Sequence, residues 1–164
     1  TVPEVVDASG GKAVRSRTGT AYIKDAMINN KAIFGGEVSA HYYFKDNYFA
    51  DSGLLAFLIL MEVLSESGEK LSEMAKKFDV YAYQVEINRR VEDRDAVIEA
   101  IKEKYADGKH DELDGLTVEY EDYWFNLRKS NTEPLIRLVV EAQTEERKKQ
   151  KVEELLAIIG GENE

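Results

Sequence analysis

Residues 116–142 read LTVEYEDYWFNLRKSNTEPLIRLVVEA, and three runs within them alternate apolar and polar positions. Leu116, Val118 and Tyr120 form the first run, Tyr123, Phe125 and Leu127 the second, and Ile136, Leu138 and Val140 the third. Successive side chains of a strand point to opposite faces, so each run predicts a strand with one buried face. Asp114-Gly115 marks a turn ahead of the first strand. Glu121-Asp122 leaves room only for a tight hairpin, and a polar loop from Lys129 to Pro134 joins the second strand to the third.

Working outward, Tyr81, Tyr83, Val85 and Ile87 alternate in the same way, while Ala96, Val97, Ala100 and Ile101 recur at helical spacing. Val152, Leu155, Leu156 and Ile159 predict a closing helix, and Leu71, Met74, Ala75 and Phe78 a helix ahead of the first strand. From Tyr81 onward the order is β-α-β-β-β-α, an antiparallel sheet with helices packed on one face. This is an α+β domain.

The preceding half has a different pattern, and the two meet near Ser65 to Lys70. Val2 to Ala8 predicts a helix closed by Gly10 and Gly11, and Lys12 to Arg17 a short strand. Thr18 or Thr20 is expected to cap a helix running to about Asn29, with Ala21, Ala26 and Met27 inward. Ala32 to Phe34 predicts another strand, ending at Gly35-Gly36. Asp51 or Ser52 is placed to cap the apolar run Leu54 to Leu64, which ends before Gly68. That run is too short to cross a bilayer and contains Glu62, so it is expected to be a buried helix. Strands alternating with helices indicate a layered α/β unit. Its strands are too few for a finished sheet, and the chain opens on Thr1 within a helical pattern, which predicts a fragment.

Composition narrows the function. The 164 residues carry 22 Lys plus Arg against 32 Asp plus Glu, a formal charge of -10. So acidic a chain is a poor nucleic-acid partner, yet it can hold a local basic pocket for a small anion. No cysteine is present, which rules out disulfides and Cys-ligated metal and suits a cytoplasmic protein. No membrane partner is expected.

Three segments carry polar chemistry. Arg128-Lys129-Ser130-Asn131-Thr132-Glu133-Pro134 sits where a strand gives way to a loop. A guanidinium fork, two hydroxyls, an amide and exposed backbone N–H groups are able to satisfy several oxygens of one phosphate. Alternation turns Lys129 away from Arg128. A polar hairpin with Asn131 at its turn has the same composition. Gly35-Gly36-Glu37-Val38-Ser39-Ala40-His41 follows the C-terminal end of a short strand, a usual ligand position in α/β sheets. Glu37 and Ser39 suit the hydroxyls of a sugar; a plain glycine turn is the alternative. Arg17-Thr18-Gly19 with Lys24 supplies two further cations, and the aromatic residues from Tyr42 to Phe49 line a pocket or fill a core. The two histidines, His41 and His110, lack metal-ligand spacing.

The Gly35–His41 segment resembles the sugar-binding loop of the α-D-phosphohexomutases, and Arg128–Pro134 resembles their phosphate-binding loop. Ser16-Arg17-Thr18-Gly19 with Ile23-Lys24 is similar to a third family segment, in the same order. Ala50-Asp51-Ser52-Gly53 and Glu86-Ile87-Asn88 resemble the bacterial phosphomannomutase branch. Nearly the whole chain is covered. The resemblance implies that residues 1–67 are an incomplete domain three and residues 68–164 a domain four of TATA-binding-protein-like fold. It assigns Glu37 and Ser39 to sugar hydroxyls, and Arg128, Ser130, Asn131 and Thr132 to the phosphate that is not being transferred. Arg17, Lys24 and His41 are further active-site contacts. The family's catalytic phosphoserine and Mg2+-binding loop belong to domains one and two and have no counterpart here. This chain therefore holds no catalytic or metal residue, and alone is expected to be inactive.

The implied reaction interconverts mannose 6-phosphate and mannose 1-phosphate through a hexose 1,6-bisphosphate. Its implied partners are hexose phosphates and the N-terminal domains of the same protein, with self-association where apolar surface is left bare. Glucose-specific or dual-specificity mutase activity, and a free-standing phosphosugar-binding module, are the competing readings. Many relatives carry histidine directly after the Thr-Gly pair; Thr20 stands there in this chain.

Overall fold

The computed structural model describes residues 1–130 and 133–163, with the Asn163 side chain left aside. They form two compact units, Thr1–Asp79 and Val80–Glu164. The division lies beyond the expected boundary at residues 67 and 68. The Thr1 hydroxyl donates to the Phe78 carbonyl (3.3 Å), which ties the segment after Ser67 back to the start of the chain.

In the second unit the alternating runs become β4 (Ala82–Arg90), β6 (Leu116–Glu119), β7 (Tyr123–Lys129) and β8 (Leu135–Ala142), while α5 (Arg94–Lys104) and α6 (Glu145–Ile159) supply the helices. Two short strands missing from the sequence reading, β5 (Lys109–Asp111) and β9 (Glu162–Asn163), extend the edges. The sheet order is β5-β6-β7-β8-β4-β9, every pair antiparallel. Phe125, Leu127, Ile136, Leu138 and Val140 are fully buried beneath Ile101 of α5 and Leu155 of α6. The face opposite these residues carries Arg128 and Arg137, which are register partners across β7 and β8. Gly115, at the turn into β6, has φ 76°, and a Cβ there would lie 2.6 Å from the Leu127 carbonyl and 2.7 Å from Arg128 Cβ. Only glycine fits this position. On the helix side, Glu154 accepts from Lys151 (2.8 Å) and pairs with Lys104 (3.2 Å). Lys151 foremost, with Tyr105 and Lys104, holds its carboxyl below the ordinary 4.5, at about 2, against the opposing effect of burial.

The strand expected over Tyr81–Ile87 contains a bulge between Gln84 and Ile87. An inserted residue reverses which face later side chains meet. Ile87 packs on the core, whereas Tyr83 and Val85 are exposed instead of buried.

The first unit has α1 (Val2–Ala8), α2 (Thr20–Asn30), α3 (Gly53–Ser67) and α4 (Leu71–Lys76) around a three-stranded antiparallel sheet of β1 (Phe34–Gly36), β2 (Tyr42–Phe44) and β3 (Ala50–Asp51). Its core is Ile23, Met27 and Tyr43, with Ala32 and Phe49 against it. Three expectations are corrected here. Residues 12–17 form no strand. Helix α2 is capped by Gly19, which has no side chain to accept from the first N–H groups, and the Thr20 hydroxyl in the first helical position is engaged with Tyr43. Ser52 does cap α3, by accepting from the Leu55 N–H (3.2 Å), and Gly68 closes the helix at φ 67°. Yet no α3 residue is buried, and Leu54, Phe57, Leu58 and Ile59 are exposed. A helix of this length is about 22 Å long, more than strands of two or three residues are able to cover.

Candidate functional site

Each unit contributes one polar loop. In the first, β1 and β2 pair as a hairpin, and residues 37–41 are its turn, closed by Glu37 N–H to the His41 carbonyl (2.9 Å) and Ala40 N–H to the Glu37 carbonyl (3.0 Å). The turn brings Glu37, Ser39 and His41 together. Ser39 Oγ and His41 Nδ1 lie 2.9 Å apart. The Tyr43 hydroxyl donates to Glu37 Oε1 (2.6 Å) and is 3.0 Å from Thr20 Oγ1. Burial first, and the Glu37 carboxylate next, push the Tyr43 hydroxyl above its ordinary 10.0, so it stays a donor. Arg17 stacks its guanidinium 4.4 Å from the Tyr22 ring centroid, and Lys24 is half-buried on α2.

In the second unit, β7 and β8 carry Arg128 and Arg137 side by side on the open face of the sheet. The β4 bulge places Glu86 against both. Arg128 Nη2 donates to Glu86 Oε2 (2.9 Å) and Arg137 Nη1 to Glu86 Oε1 (3.0 Å). One carboxylate is forked between two guanidiniums, so the three side chains keep one net positive charge. Two residues beyond Arg128, Ser130 is 7% exposed and its Oγ is buried with no partner among the described residues. Lys129 turns away, as alternation requires, and donates to Asp95 Oδ1 (2.7 Å), lowering the pKa of that carboxyl. Arg94, at the start of α5, donates from Nη1 to the Ser130 carbonyl (3.1 Å) and the Glu133 carbonyl (3.0 Å). Asn131 and Thr132 lie outside the described residues.

Sequence reasoning missed Tyr43, Arg94 and Arg137 as parts of these sites, and saw Glu86 only as a family mark. The polar position of Arg137 in an alternating strand was a usable signal. Nothing local pointed to Arg94, whose contacts span 36 residues or more.

Comparison with known proteins places both units in one family. Residues 1–81 match the phosphoglucomutase/phosphomannomutase α/β/α domain III, and residues 86–158 match the C-terminal domain of the same proteins. The chain belongs to the phosphoglucomutase/phosphomannomutase family. Among its relatives is a phosphomannomutase of Methanocaldococcus jannaschii, 44% identical over 158 residues that cover 96% of this chain and 35% of that protein. A phosphomannomutase of Vibrio cholerae is 41% identical over 162 residues, 95% of this chain and 35% of its own length. The crystal structure of a family member from Burkholderia thailandensis, 27% identical, superposes with a TM-score of 0.79 over 99% of this chain and 36% of that one. The family fold, an α/β domain followed by an α+β domain, is therefore the fold of this chain. The chain spans about a third of the length of the curated relatives it matches.

Proposed function

We propose that this chain is the sugar- and phosphate-recognising part of a phosphomannomutase, which interconverts mannose 6-phosphate and mannose 1-phosphate through a bisphosphorylated sugar. Relatives named phosphomannomutase at 38–44% identity support the reaction. The observation that carries the recognition role is the buried Oγ of Ser130, unpartnered among the described residues and two positions beyond Arg128 of the Arg128–Glu86–Arg137 cluster. A buried hydroxyl without a partner costs free energy, and a phosphate oxygen would satisfy it.

In this reading Arg128, Ser130, Asn131 and Thr132 hold the phosphate that is not being transferred. Glu37 and Ser39 grip sugar hydroxyls, and Arg17, Lys24 and His41 make further contacts. Binding at a distance from the reacting phosphoryl group positions the sugar for transfer. The units Thr1–Asp79 and Val80–Glu164 are assigned to family domains three and four, with the boundary about a dozen residues beyond the expected 67 and 68.

Among the described residues no group of three or more His, Cys, Asp or Glu side chains is placed to hold a metal ion. The metal and the phosphoserine are assigned to the additional length of the relatives, and this chain alone is expected to be inactive. No described helix is long and apolar enough to cross a membrane, and a cytoplasmic enzyme is proposed. The bare face of α3 supports association with further domains or with a second copy. A dual phosphoglucomutase/phosphomannomutase specificity is the second reading, favoured by the joint description of both matched domains.

Titration of mannose 1-phosphate into the chain and its Ser130→Ala variant tests the proposal. Binding weakened at least severalfold in the variant is expected; equal binding would remove Ser130 from the site.

A further inference from the structure

We propose that Tyr43 is a positioning residue for sugar recognition, orienting the Glu37 carboxylate through a hydrogen-bond chain that runs Thr20–Tyr43–Glu37. The inference rests on the reading of Glu37 as a sugar contact and adds the device that presents it.

The Tyr43 ring cannot shift easily. It is fully buried against Ile23 and Met27, and it sits opposite Gly35 in the β1–β2 register. That space is already tight, since a Cβ on Gly35 would lie 2.9 Å from the Met27 sulfur and 3.2 Å from Ile23. The buried hydroxyl carries the ring's contacts to polar side chains. It lies 2.6 Å from Glu37 Oε1 and 3.0 Å from Thr20 Oγ1.

The proton order follows from the groups. An ionised carboxylate only accepts, so the single phenol proton goes to Glu37, and the Thr20 hydroxyl donates to the phenol oxygen. With Oε1 tied to a rigid ring, Oε2 is the oxygen turned to a ligand hydroxyl. A carboxylate on a hairpin turn otherwise exchanges between rotamers, and holding it in place lowers the entropy lost on binding. Thr20 thereby has a task different from an imidazole at the same place. It supports a tyrosine that supports a carboxylate.

The test is NMR titration of this chain with mannose 1-phosphate, using Tyr43→Phe, Thr20→Val, Thr20→Ser and Glu37→Gln. Loss of one hydrogen bond to a charged group predicts a Kd raised about tenfold in Tyr43→Phe and about threefold in Thr20→Val. Thr20→Ser keeps the hydroxyl and is expected to bind like the parent. Tyr43→Phe added to Glu37→Gln is expected to cost no more than Glu37→Gln alone, and 13C relaxation is expected to show a more mobile Glu37 side chain in Tyr43→Phe. Should Tyr43→Phe unfold, Thr20→Val at the exposed end of the chain carries the comparison.

Parent-like binding by Tyr43→Phe and Thr20→Val, beside weakened binding by Glu37→Gln, overturns the positioning role alone. Unchanged binding by Glu37→Gln overturns the sugar role of Glu37 and the proposal with it.

Discussion

Replacing Glu86 by alanine removes the one carboxylate forked between Arg128 and Arg137. Two charge-assisted hydrogen bonds are lost, of 2.9 and 3.0 Å, between side chains that are 27–31% exposed. Such bonds contribute about 1.5–3 kcal/mol each in a buried setting. Partial solvent exposure reduces that to about 1 kcal/mol each. The two arginines face each other directly across β7 and β8, so their repulsion adds a few tenths of a kcal/mol. The expected loss is therefore about 2–3 kcal/mol, a fall of about 10–20 °C in the unfolding midpoint of a unit this size. Phosphate is expected to reverse part of it, because the anion takes the vacated place between the two guanidiniums. At ten times its Kd a ligand adds about 1.4 kcal/mol. Thermal unfolding of parent and Glu86→Ala, with and without inorganic phosphate, measures both effects. A variant within about 0.5 kcal/mol of the parent would show that Glu86 does not hold the two arginines, and one stabilised by phosphate no more than the parent would show that no anion enters between them.

Arg94→Ala frees the Ser130 and Glu133 carbonyls, and phosphate affinity measured by calorimetry is expected to fall about three- to tenfold, with Arg94→Lys intermediate. Gly115→Ala forces a side chain at φ 76° against the backbone of β7 below Arg128, and urea unfolding is expected to show a loss of at least about 2 kcal/mol. Glu154 titrates at about 2 in the folded chain against 4.5 ordinarily, so its stabilisation is present above pH 4.5 and is lost as pH falls toward 2. Solvent screening leaves it worth about 1 kcal/mol, and acid unfolding of Glu154→Gln, which lacks that pH-dependent step, measures it.

The β6–β7–β8 meander was legible because apolar residues recur at every second position, at Leu116 and Val118, at Tyr123, Phe125 and Leu127, and at Ile136, Leu138 and Val140, all of them buried. One inserted residue in β4 has no such signature, and so the burial of Tyr83 and Val85 was misread. The run Tyr42–Phe44 does not alternate in hydrophobicity, which hid the β1–β2 hairpin and with it the place of Tyr43. Helix α3 is apolar on all sides, so its sequence predicts burial without naming what would cover it. At the candidate site, Glu37, Ser39 and His41 fall on one turn and are read locally. Glu86, Arg94 and Arg137 reach Arg128 and Ser130 across 42, 36 and 9 residues or through neighbouring strands, a relation only the fold creates.

The loop beginning at Arg128 is proposed to bind the phosphate of a hexose phosphate. The most direct test is titration of this chain with mannose 1-phosphate, mannose 6-phosphate and their glucose counterparts, in parallel with Arg128→Ala. Saturable binding of the mannose phosphates that is lost in the variant is the predicted result. Binding that Arg128→Ala leaves intact, or none at millimolar ligand, would contradict it.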